Sequence, residues 1–286
     1  LKEQSLQLGL YFNEFDKSKF EQLKENLSHY NMAKNHFTKV TNLDFTDAFS
    51  GARSIISNKD SANLLFLDEN GIKQIDESIF RFIIEQKATD FIFYISSSYL
   101  NRFSEHESFK KYLNISKDDF EGKSYHHCHK VVLNYYRSLI PKGVNYFLAP
   151  FSIKKGGNIY GLIFGTQHSL GIEKFLNVCW KHDKLTGEAN YDIDDDKINL
   201  AAPSLFAEFN KPKKVTGFEA ELSEKIRKRE ITTNIQAYLH GLASGFLPSH
   251  VNQVFKKLIE QKIIARSFEM TTSKVNKLSP QPINIT

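Results

Sequence analysis

Short apolar runs alternate with amphipathic stretches along the chain up to about residue 170. The run "LQLGLYF" is followed by a stretch in which Phe20, Leu23 and Leu27 lie on one helical face. The run "TDFIFYISSS" has the continuous apolar character of a strand that is buried on both faces. This alternation predicts βαβ units arranged around a mostly parallel sheet.

Two further runs, "VNYFLAPFSIKK" and "NIYGLIFGTQ", flank Gly156 and Gly157 and predict an antiparallel β-hairpin. A helix is expected after the hairpin, over residues 171–181. Repeated strand–helix units that end in a hairpin are the layout of the class I methyltransferase-like fold, whose last strand inserts antiparallel. We therefore predict a Rossmann-like α/β domain, with a mostly parallel sheet and an antiparallel terminal hairpin, over residues 1–185.

Polar side chains follow the predicted strands at the points where the strands end. In open α/β sheets, ligands bind beyond the carboxyl ends of the strands. The pattern predicts a site along one edge of the sheet, with helix capping or turn formation as the alternative role of each residue. The residues concerned are Glu14, Asp16, Asp44, Asp68, Glu69, Asn70 and Ser96 to Ser98.

Residues 186–229 are polar and rich in turn formers, so we interpret them as a connecting segment. The acidic patch from Asp192 to Asp196 lacks the glycine turn and the distal Glu of a calcium loop. A solvated loop is the expected structure of this patch.

Residues 230–286 have the pattern of a small winged helix-turn-helix. Thr232 or Thr233 can cap a first helix, "GLASGFLPSH" predicts a turn, and Ser249 is the expected N-cap of a second helix. The segment "KIIARSF" is predicted to be a β-strand that begins the wing. The second helix carries an apolar stripe at Val251, Val254, Phe255, Leu258 and Ile259.

The C-terminal region from Lys211 carries the excess positive charge of the chain. From Lys211 onward there are 13 Lys and Arg against 6 Asp and Glu, a net +7, so the rest of the +5 chain carries −2. DNA binding is predicted, with dimerisation or protein docking as the alternative. The expected contacts come from the N-terminal half of the second helix, with Asn and Gln suited to adenine and Lys to phosphate. These residues are Ser249, His250, Asn252, Gln253, Lys256 and Lys257.

Composition argues against a membrane protein, a disulfide-stabilised protein and a zinc site. No apolar run approaches the ~20 residues of a membrane helix. Cys128 and Cys179 are too few for a disulfide framework, so a reducing cytoplasm is expected, and Cys179 is predicted to lie in the core. His126, His127, Cys128 and His129 are consecutive and point in different directions, so no self-contained zinc site is predicted.

The chain resembles the three-Cys-motif partner protein family (TcmP). The resemblance covers nearly the whole chain, and its more specific parts run from the triple serine to Arg102 and from Trp180 to Asp194. It rests on "LYFNEFDKSKFEQLKENL", "LLFLDENGIKQI", "DFIFYISSSYLNRF", "GIEKFLNVCWKHDKLTGEANYDID" and the closing winged helix. The family carries an Asp-centred, glycine-rich motif on its first strand, and nothing equivalent precedes "LYFNEFDKSKF". We expect that strand and loop, with about 60–80 residues, to be encoded before Leu1.

The resemblance implies an S-adenosylmethionine-dependent, methyltransferase-like domain that is encoded beside a radical-SAM-like three-cysteine protein. Carried over by position, Glu14 would contact the ribose, and Asp44 would lie near the adenine, with Asp16 and Phe45 beside them. Asp68 would face the reacting group. In amino-methyltransferases an acidic or Asn residue in that position precedes Pro-Pro-aromatic, whereas here Glu69 and Asn70 follow Asp68.

Three functions compete at this point. The first is a DNA-associated, methyltransferase-like protein that acts with a partner in a prokaryotic mobile-element or phage-defence setting. The second is a non-catalytic scaffold or assembly subunit. The third is a metal-dependent nuclease in which Asp44, Asp68 and Glu69 hold two Mg²⁺ ions ~4 Å apart.

Overall fold

The computed structural model describes residues 7–30, 36–68, 76–96, 127–199 and 201–286. The chain divides into two compact units, Leu1–Ala62 and Asn63–Thr286. The architecture is mixed α/β, with two separate sheets in the described residues. The prediction of one continuous sheet is therefore corrected to a two-stranded sheet in the first unit and a four-stranded sheet in the second.

The first unit is a βαβ arrangement followed by a second helix. Strand β1 (Leu8–Asn13) leads into helix α1 (Lys17–Ser28), and strand β2 (His36–Thr41) leads into helix α2 (Phe45–Ile56). The two strands pair in parallel along their whole length. The predicted strand–helix alternation is confirmed here, but β2 ends before Asp44.

Each helix of this unit begins at an aspartate. The carboxylate of Asp16 accepts a hydrogen bond from the backbone N–H of Lys19 at 2.9 Å, and that of Asp44 accepts one from Thr46 at 2.9 Å. These bonds satisfy donors that the first turn of a helix leaves unpaired. Asp44 is thus the N-cap of α2 rather than a strand end, and Phe45 is the first helical residue.

The described part of the second unit contains four strands with helices on both faces. Its first elements are β3 (Asn63–Asp68), α3 (Glu77–Glu85), β4 (Thr89–Ser96), α4 (Cys128–Leu139), β5 (Phe147–Lys155), β6 (Asn158–Thr166) and α5 (Ser169–His182). The strand order is β3–β4–β6–β5, with β3 parallel to β4. Strand β6 lies antiparallel between β4 and β5, so the predicted hairpin around Gly156 is confirmed.

An aromatic cluster fills one side of this sheet. Phe80 of α3 lies 4.7 Å from Tyr136 of α4, measured between ring centroids, and Phe93 of β4 lies 5.5 Å from the same ring. Burial of each such side chain contributes roughly 2 kcal/mol. Phe91 lies opposite Gly165 on β6, where an added Cβ would be 2.2 Å from the Phe91 ring. Glycine is therefore required at position 165.

Three more helices complete the chain, and two of them match the prediction. They are α6 (Lys213–Arg227), α7 (Asn234–Ala243) and α8 (Pro248–Glu260), with short 3₁₀ turns at Ala207–Asn210 and Val275–Lys277. Helix α6 falls inside the predicted connecting segment. Its Phe218, Leu222 and Ile226 are buried with the apolar stripe of α8, so this part of residues 186–229 belongs to the core.

The N-termini of α7 and α8 are capped in different ways. Thr233, one of the two threonines predicted to cap α7, is its N-cap and exchanges hydrogen bonds with Gln236 to form a capping box. Helix α8 begins at Pro248, with Leu247 as its N-cap. The prediction that Ser249 caps this helix is wrong, because proline occupies the first helical position ahead of it.

The predicted strand "KIIARSF" is reduced to an isolated bridge. Ile264 pairs antiparallel with Ile285, and Ala265 donates its N–H to the carbonyl of Asn284 at 2.8 Å. A second bridge joins Thr233 to Pro282. The C-terminal residues therefore pair with the residue before α7, Thr233, and with a residue after α8, Ile264. The sequence pattern did not predict this pairing.

The C-terminal helices pack directly on the four-stranded sheet. Tyr238 of α7 is fully buried beside Phe164 of β6 and Leu176 of α5, and its hydroxyl donates to a carboxylate oxygen of Glu173 at 2.8 Å. Residues 63–286 consequently form one compact unit instead of dividing near residues 185 and 230. No helix in the described ranges has the length and apolarity to cross a membrane.

Candidate functional site

The carboxyl ends of β1 and β2 are held together by an asparagine. The amide nitrogen of Asn13 donates to the carbonyl of Leu43 at 3.0 Å, and its Oδ1 accepts from the Leu43 N–H at 3.1 Å. The same Oδ1 accepts from the hydroxyl of Thr41 at 2.8 Å. Every polar atom of the Asn13 side chain is used to position the loop that leads to α2.

A second asparagine fixes the loop that carries Glu14. Asn42 donates from Nδ2 to the carbonyls of Glu14 and Phe15, at 2.7 and 2.8 Å. The Glu14 N–H donates to the carbonyl of Thr41 at 3.1 Å, which extends the strand pairing by one residue. Sequence reasoning missed Asn13 and Asn42, although each lies next to a strand end where the predicted acids were sought.

Glu14 keeps one carboxylate oxygen available. Its Oε1 accepts a hydrogen bond from the Asp16 N–H at 2.8 Å, and no hydrogen bond reaches Oε2 from any residue in the described ranges. The backbone on both sides is held by Asn42 and Thr41, so the carboxylate has a defined position. Chemically, such a group can accept hydrogen bonds from the two hydroxyls of a vicinal diol.

The other predicted cofactor residues of this unit have local structural roles. Asp16 and Asp44 cap their helices, and Phe45 stacks on Phe49 with ring centroids 5.8 Å apart. Phe45 is half-buried and presents part of its ring at the start of α2. The structure therefore brings Glu14, Asp44 and Phe45 to one end of the two-stranded sheet, and their contacts with a cofactor stay predictions.

Asp68 belongs to the second unit, where it is the exposed last residue of β3. It pairs in register with Tyr94 of β4, whose ring stacks on Tyr160 at 5.2 Å. Burial, followed by the proximity of Tyr160 and of the Asp68 charge, raises the pKa of Tyr94. Glu69 and Asn70, the other predicted catalytic residues, lie outside the described residues.

The described part of the chain contains no cluster of side chains suited to metal binding. No group of three or more His, Cys, Asp and Glu side chains is close enough there to hold an ion. His127 instead contacts Asp194 at 3.1 Å. Cys179 is buried, and burial raises the pKa of its thiol to about 12, which confirms its prediction as a core residue.

His250 does not lie on an exposed face of α8, so that prediction is corrected. Its ring centroid is 4.1 Å from that of Trp180, and its Nδ1 accepts a hydrogen bond from the Leu247 N–H at 3.1 Å. Burial, assisted by the charge of Lys214, lowers the pKa of His250 to about 4. The imidazole is consequently neutral at pH 7 and serves as a packing and capping group.

Asn252 is also turned toward the protein. Its amide nitrogen donates to the carbonyl of Thr271 at 2.9 Å, while its Oδ1 accepts from both the N–H and the hydroxyl of Thr271 at 2.8 Å. These three bonds connect α8 to the C-terminal segment, so the amide of Asn252, a predicted adenine contact, is already paired within the protein. An adenine would have to displace them.

Four predicted contact residues remain exposed on α8: Ser249, Gln253, Lys256 and Lys257. Lys257 is already paired with Glu219 at 2.7 Å, and Lys211 contacts the same carboxylate. Lys256 forms no ion pair within the part of the chain that the structure describes. Its full charge is therefore presented to solvent, unlike that of Lys257.

Comparison with known proteins adds no relative to this picture. A scan against protein-family models and a search of curated proteins both returned no match to the chain. The resemblance to the three-Cys-motif partner family therefore rests on the quoted segments, and the geometry of the residues has to carry any functional argument.

Proposed function

We propose that this chain is a DNA-associated, methyltransferase-like protein that acts with a partner protein. The observation that carries the proposal is the position of β6, which lies antiparallel between β4 and β5 beside the parallel pair β3–β4. This arrangement supports the class I methyltransferase-like sheet that the order of elements predicts. The radical-SAM-like partner and the defence setting follow from the family resemblance alone.

Glu14 is the residue that fits the cofactor best. Its free Oε2 would accept hydrogen bonds from the ribose hydroxyls of S-adenosylmethionine, and Asn13 and Asn42 would hold the two loops in place. S-adenosylmethionine, when bound, supplies an electrophilic methyl group. Asp68, at the carboxyl end of β3, would accept a hydrogen bond from the group that is methylated.

The C-terminal helices support a winged helix-turn-helix. Helices α7 and α8 are joined by the short turn 244–247, in which Gly245 has a φ of +83°. Most residues avoid this left-handed conformation, and glycine in such a turn is typical of the motif. Ile283 N–H pairs with the Thr232 carbonyl at 2.8 Å, and Ile264 bridges Ile285, so short strand-like segments flank the helices as wing strands would.

Within this module, α8 is the proposed reading helix. Gln253 is the exposed amide that remains once Asn252 is committed to Thr271, so it is the candidate base contact. Lys256 has an uncompensated charge and is the candidate phosphate contact. Ser249 lies at the start of the helix and can donate to a phosphate.

Cofactor binding is tested by titrating S-adenosylmethionine into the complete gene product in a calorimeter. The proposal expects saturable binding that falls at least tenfold in Glu14→Ala. Glu25→Ala is the matched control, because Glu25 is an exposed glutamate on α1, and it should bind like the wild type. Absence of binding by the wild type would favour the scaffold function instead.

DNA binding is tested by fluorescence anisotropy at several salt concentrations. Lys256→Ala should weaken binding to all duplexes and reduce the salt slope by about one. Gln253→Ala should change the preference among sequences and leave that slope unaltered. Lys155→Ala, at the β5–β6 hairpin, is the control lysine. Equal losses for Lys155 and Lys256 would show that binding is non-specific attraction to any positive charge.

A further inference from the structure

A cavity of about 150 Å³ lies inside the second unit, where helix α4, strand β5 and the turn between α7 and α8 meet. None of the predicted site residues lines it. A cavity needs roughly 10–15 Å³ of such volume to hold one water, so this space accommodates a group of several heavy atoms. Apolar side chains from Leu133, Leu148 and Leu176 form part of the wall.

The polar wall of the cavity is strongly basic. Lys130 and Arg137 from α4 and Lys214 from α6 contribute three positive charges, against the single carboxylate of Glu188. Glu188 contacts the ammonium groups of Lys130 and Lys214, at 2.5 and 3.0 Å. The lining therefore carries a net charge of +2 after Glu188 is counted.

Arg137 is the exposed cation of this lining, and the charge of Glu188 acts on it as well. Its Nη2 donates to the carbonyls of Leu148 and Ala243, at 3.0 and 3.2 Å, which fixes the plane of the guanidinium. It forms no ion pair with a carboxylate in the described ranges. The remaining donors of an anchored guanidinium form a fork that matches two oxygens of a phosphate.

The cations of this lining differ in exposure. Lys214 is largely enclosed and is neutralised by Glu188, with its ammonium 4.9 Å from the centroid of the Phe246 ring. Arg137 is exposed to solvent, so its donors are accessible to an anion that enters the cavity. Asn134 and Ser244, which also line the cavity, can donate further hydrogen bonds to an oxyanion. The positive lining, the fixed guanidinium of Arg137 and the cavity volume all favour a small oxyanion as the ligand.

We infer that this cavity binds the phosphate group of a small molecule, with Arg137 and Lys130 as the contacting cations. Glu188 and Lys214 are positioning residues, because Glu188 holds Lys130 and Lys214 in place. The site is independent of the proposed methyltransferase and DNA-binding functions. Its lining joins α4 to the turn that precedes α8.

Calorimetric titration of inorganic phosphate into the complete gene product tests the site, with sodium chloride keeping the ionic strength constant. The wild type should show saturable binding. Arg137→Gln should weaken it about tenfold or more, as expected for loss of charged hydrogen bonds. Lys130→Gln should weaken it severalfold. Lys155→Gln, which removes an exposed lysine of the β5–β6 hairpin outside the cavity, should bind within twofold of the wild type.

The source of the phosphate is resolved by parallel titrations of adenosine 5′-monophosphate and adenosine. Tighter binding of the monophosphate than of inorganic phosphate identifies a phosphate ester, and equal binding identifies free phosphate. Circular dichroism checks that each variant is folded. If Arg137→Gln does not fold, Lys130→Gln and Asn134→Ala carry the test.

Two results overturn the inference. One is the absence of saturable phosphate binding by the folded wild type. The other is equal phosphate affinity in the wild type and in every folded cavity variant, since the anion would then bind elsewhere. Because these titrations contain neither S-adenosylmethionine nor DNA, failure here leaves the proposed function untouched, and failure of that function leaves this site untouched.

Discussion

Two polar networks in this protein show opposite uses of a carboxylate. At the ends of β1 and β2, Glu14 is held through its backbone by Asn42 and keeps Oε2 without a hydrogen bond from the described residues. Around Lys214, Glu188 contacts two ammonium groups and is largely enclosed. The first network leaves a side-chain oxygen for a ligand, whereas the second stabilises the fold. Burial and pairing, not residue type, separate the two roles.

Lys214 and its neighbours contribute to the stability of the fold through contacts with several elements. Lys214 also donates to the carbonyl of Thr186 at 2.6 Å and lies over the rings of Trp180 and Phe246. An added Cβ at Gly187 would be 2.6 Å from the same indole, and Gly187 has a φ of +63°. The contacts of Lys214 are thus formed within the protein, whereas the Oε2 of Glu14 has no hydrogen bond from the described residues.

The largest effect is expected at Lys214. Lys214→Met retains much of the side-chain volume but removes the charge that faces Glu188, so the free energy of unfolding should fall by about 3 kcal/mol. This is the lower end for breaking a buried ion pair, because Lys130 still contacts Glu188. Urea denaturation followed by circular dichroism measures the change.

An exposed lysine at the end of the same helix provides the control for this substitution. Lys228 pairs with the exposed Glu224 at 3.2 Å, so Lys228→Met should cost less than about 1 kcal/mol. Equal costs for the two lysines would mean that the Lys214 network contributes no more than a surface pair. Burial and pairing would then not distinguish the role of Glu188 from that of Glu14.

Lowering the pH should also destabilise the protein through His250, which is packed beside Lys214. Because the pKa of His250 is lowered from 6.5 to about 4 by burial and by Lys214, the unfolded chain binds a proton between these values and the folded chain does not. Stability should therefore fall as the pH drops from 6.5 towards 4. At about 1.4 kcal/mol per pKa unit, the loss is on the order of 3 kcal/mol.

Comparison with His250→Gln isolates this titration. The carboxylate of Glu188 also loses stabilising contacts in acid: burial alone would raise its pKa, but the charges of Lys214 and Lys130 outweigh burial and lower it. That loss occurs in both proteins. The wild type should lose more stability than the variant between pH 7 and pH 4.5 in urea denaturation. Parallel losses would show that His250 titrates as it does in the unfolded chain.

The parts of this structure that sequence reasoning predicted are those with local signals. The glycine pair at 156–157 sets the hairpin of β5 and β6, and Thr233 begins α7 with a capping box. The helix expected over residues 171–181 is α5, which begins at Ser169 and ends at His182. In each case, the determining contacts lie within a few residues of the signal.

The parts that were missed depend on contacts between distant residues. His250 turns inward because Trp180, far away in sequence, covers it, and Asn252 turns inward because Thr271 offers three bonding partners. Helix α6 lies in a polar stretch, and its apolar residues gain meaning only when α8 packs against them. Similarly, Ile264 pairs with Ile285 through a chain reversal that periodicity does not encode.

A smaller effect is expected at Asp44, where capping and cofactor binding are alternative roles. Asp44→Ala should lower the stability of the first unit by about 1 kcal/mol, because the N–H of Thr46 loses its acceptor. Asp44→Asn should change stability by only a few tenths, since asparagine caps equally well. Hydrogen exchange of the α2 amides measures both. Equal protection in the two variants would mean that the cap contributes nothing to α2.

The smallest effect on stability is expected at Glu14, even though it is the residue proposed to bind the ribose. Glu14→Gln retains an oxygen that accepts the Asp16 N–H, and the backbone bonds from Asn42 do not involve the carboxylate. Its free energy of unfolding, measured in urea, should stay within about 0.5 kcal/mol of the wild type. A loss comparable to that of Asp44→Ala would show that the carboxylate is structural after all. Glu14 would then belong with Glu188, as a residue whose bonds are already complete, and the strand ends would keep no free acceptor there for a ribose.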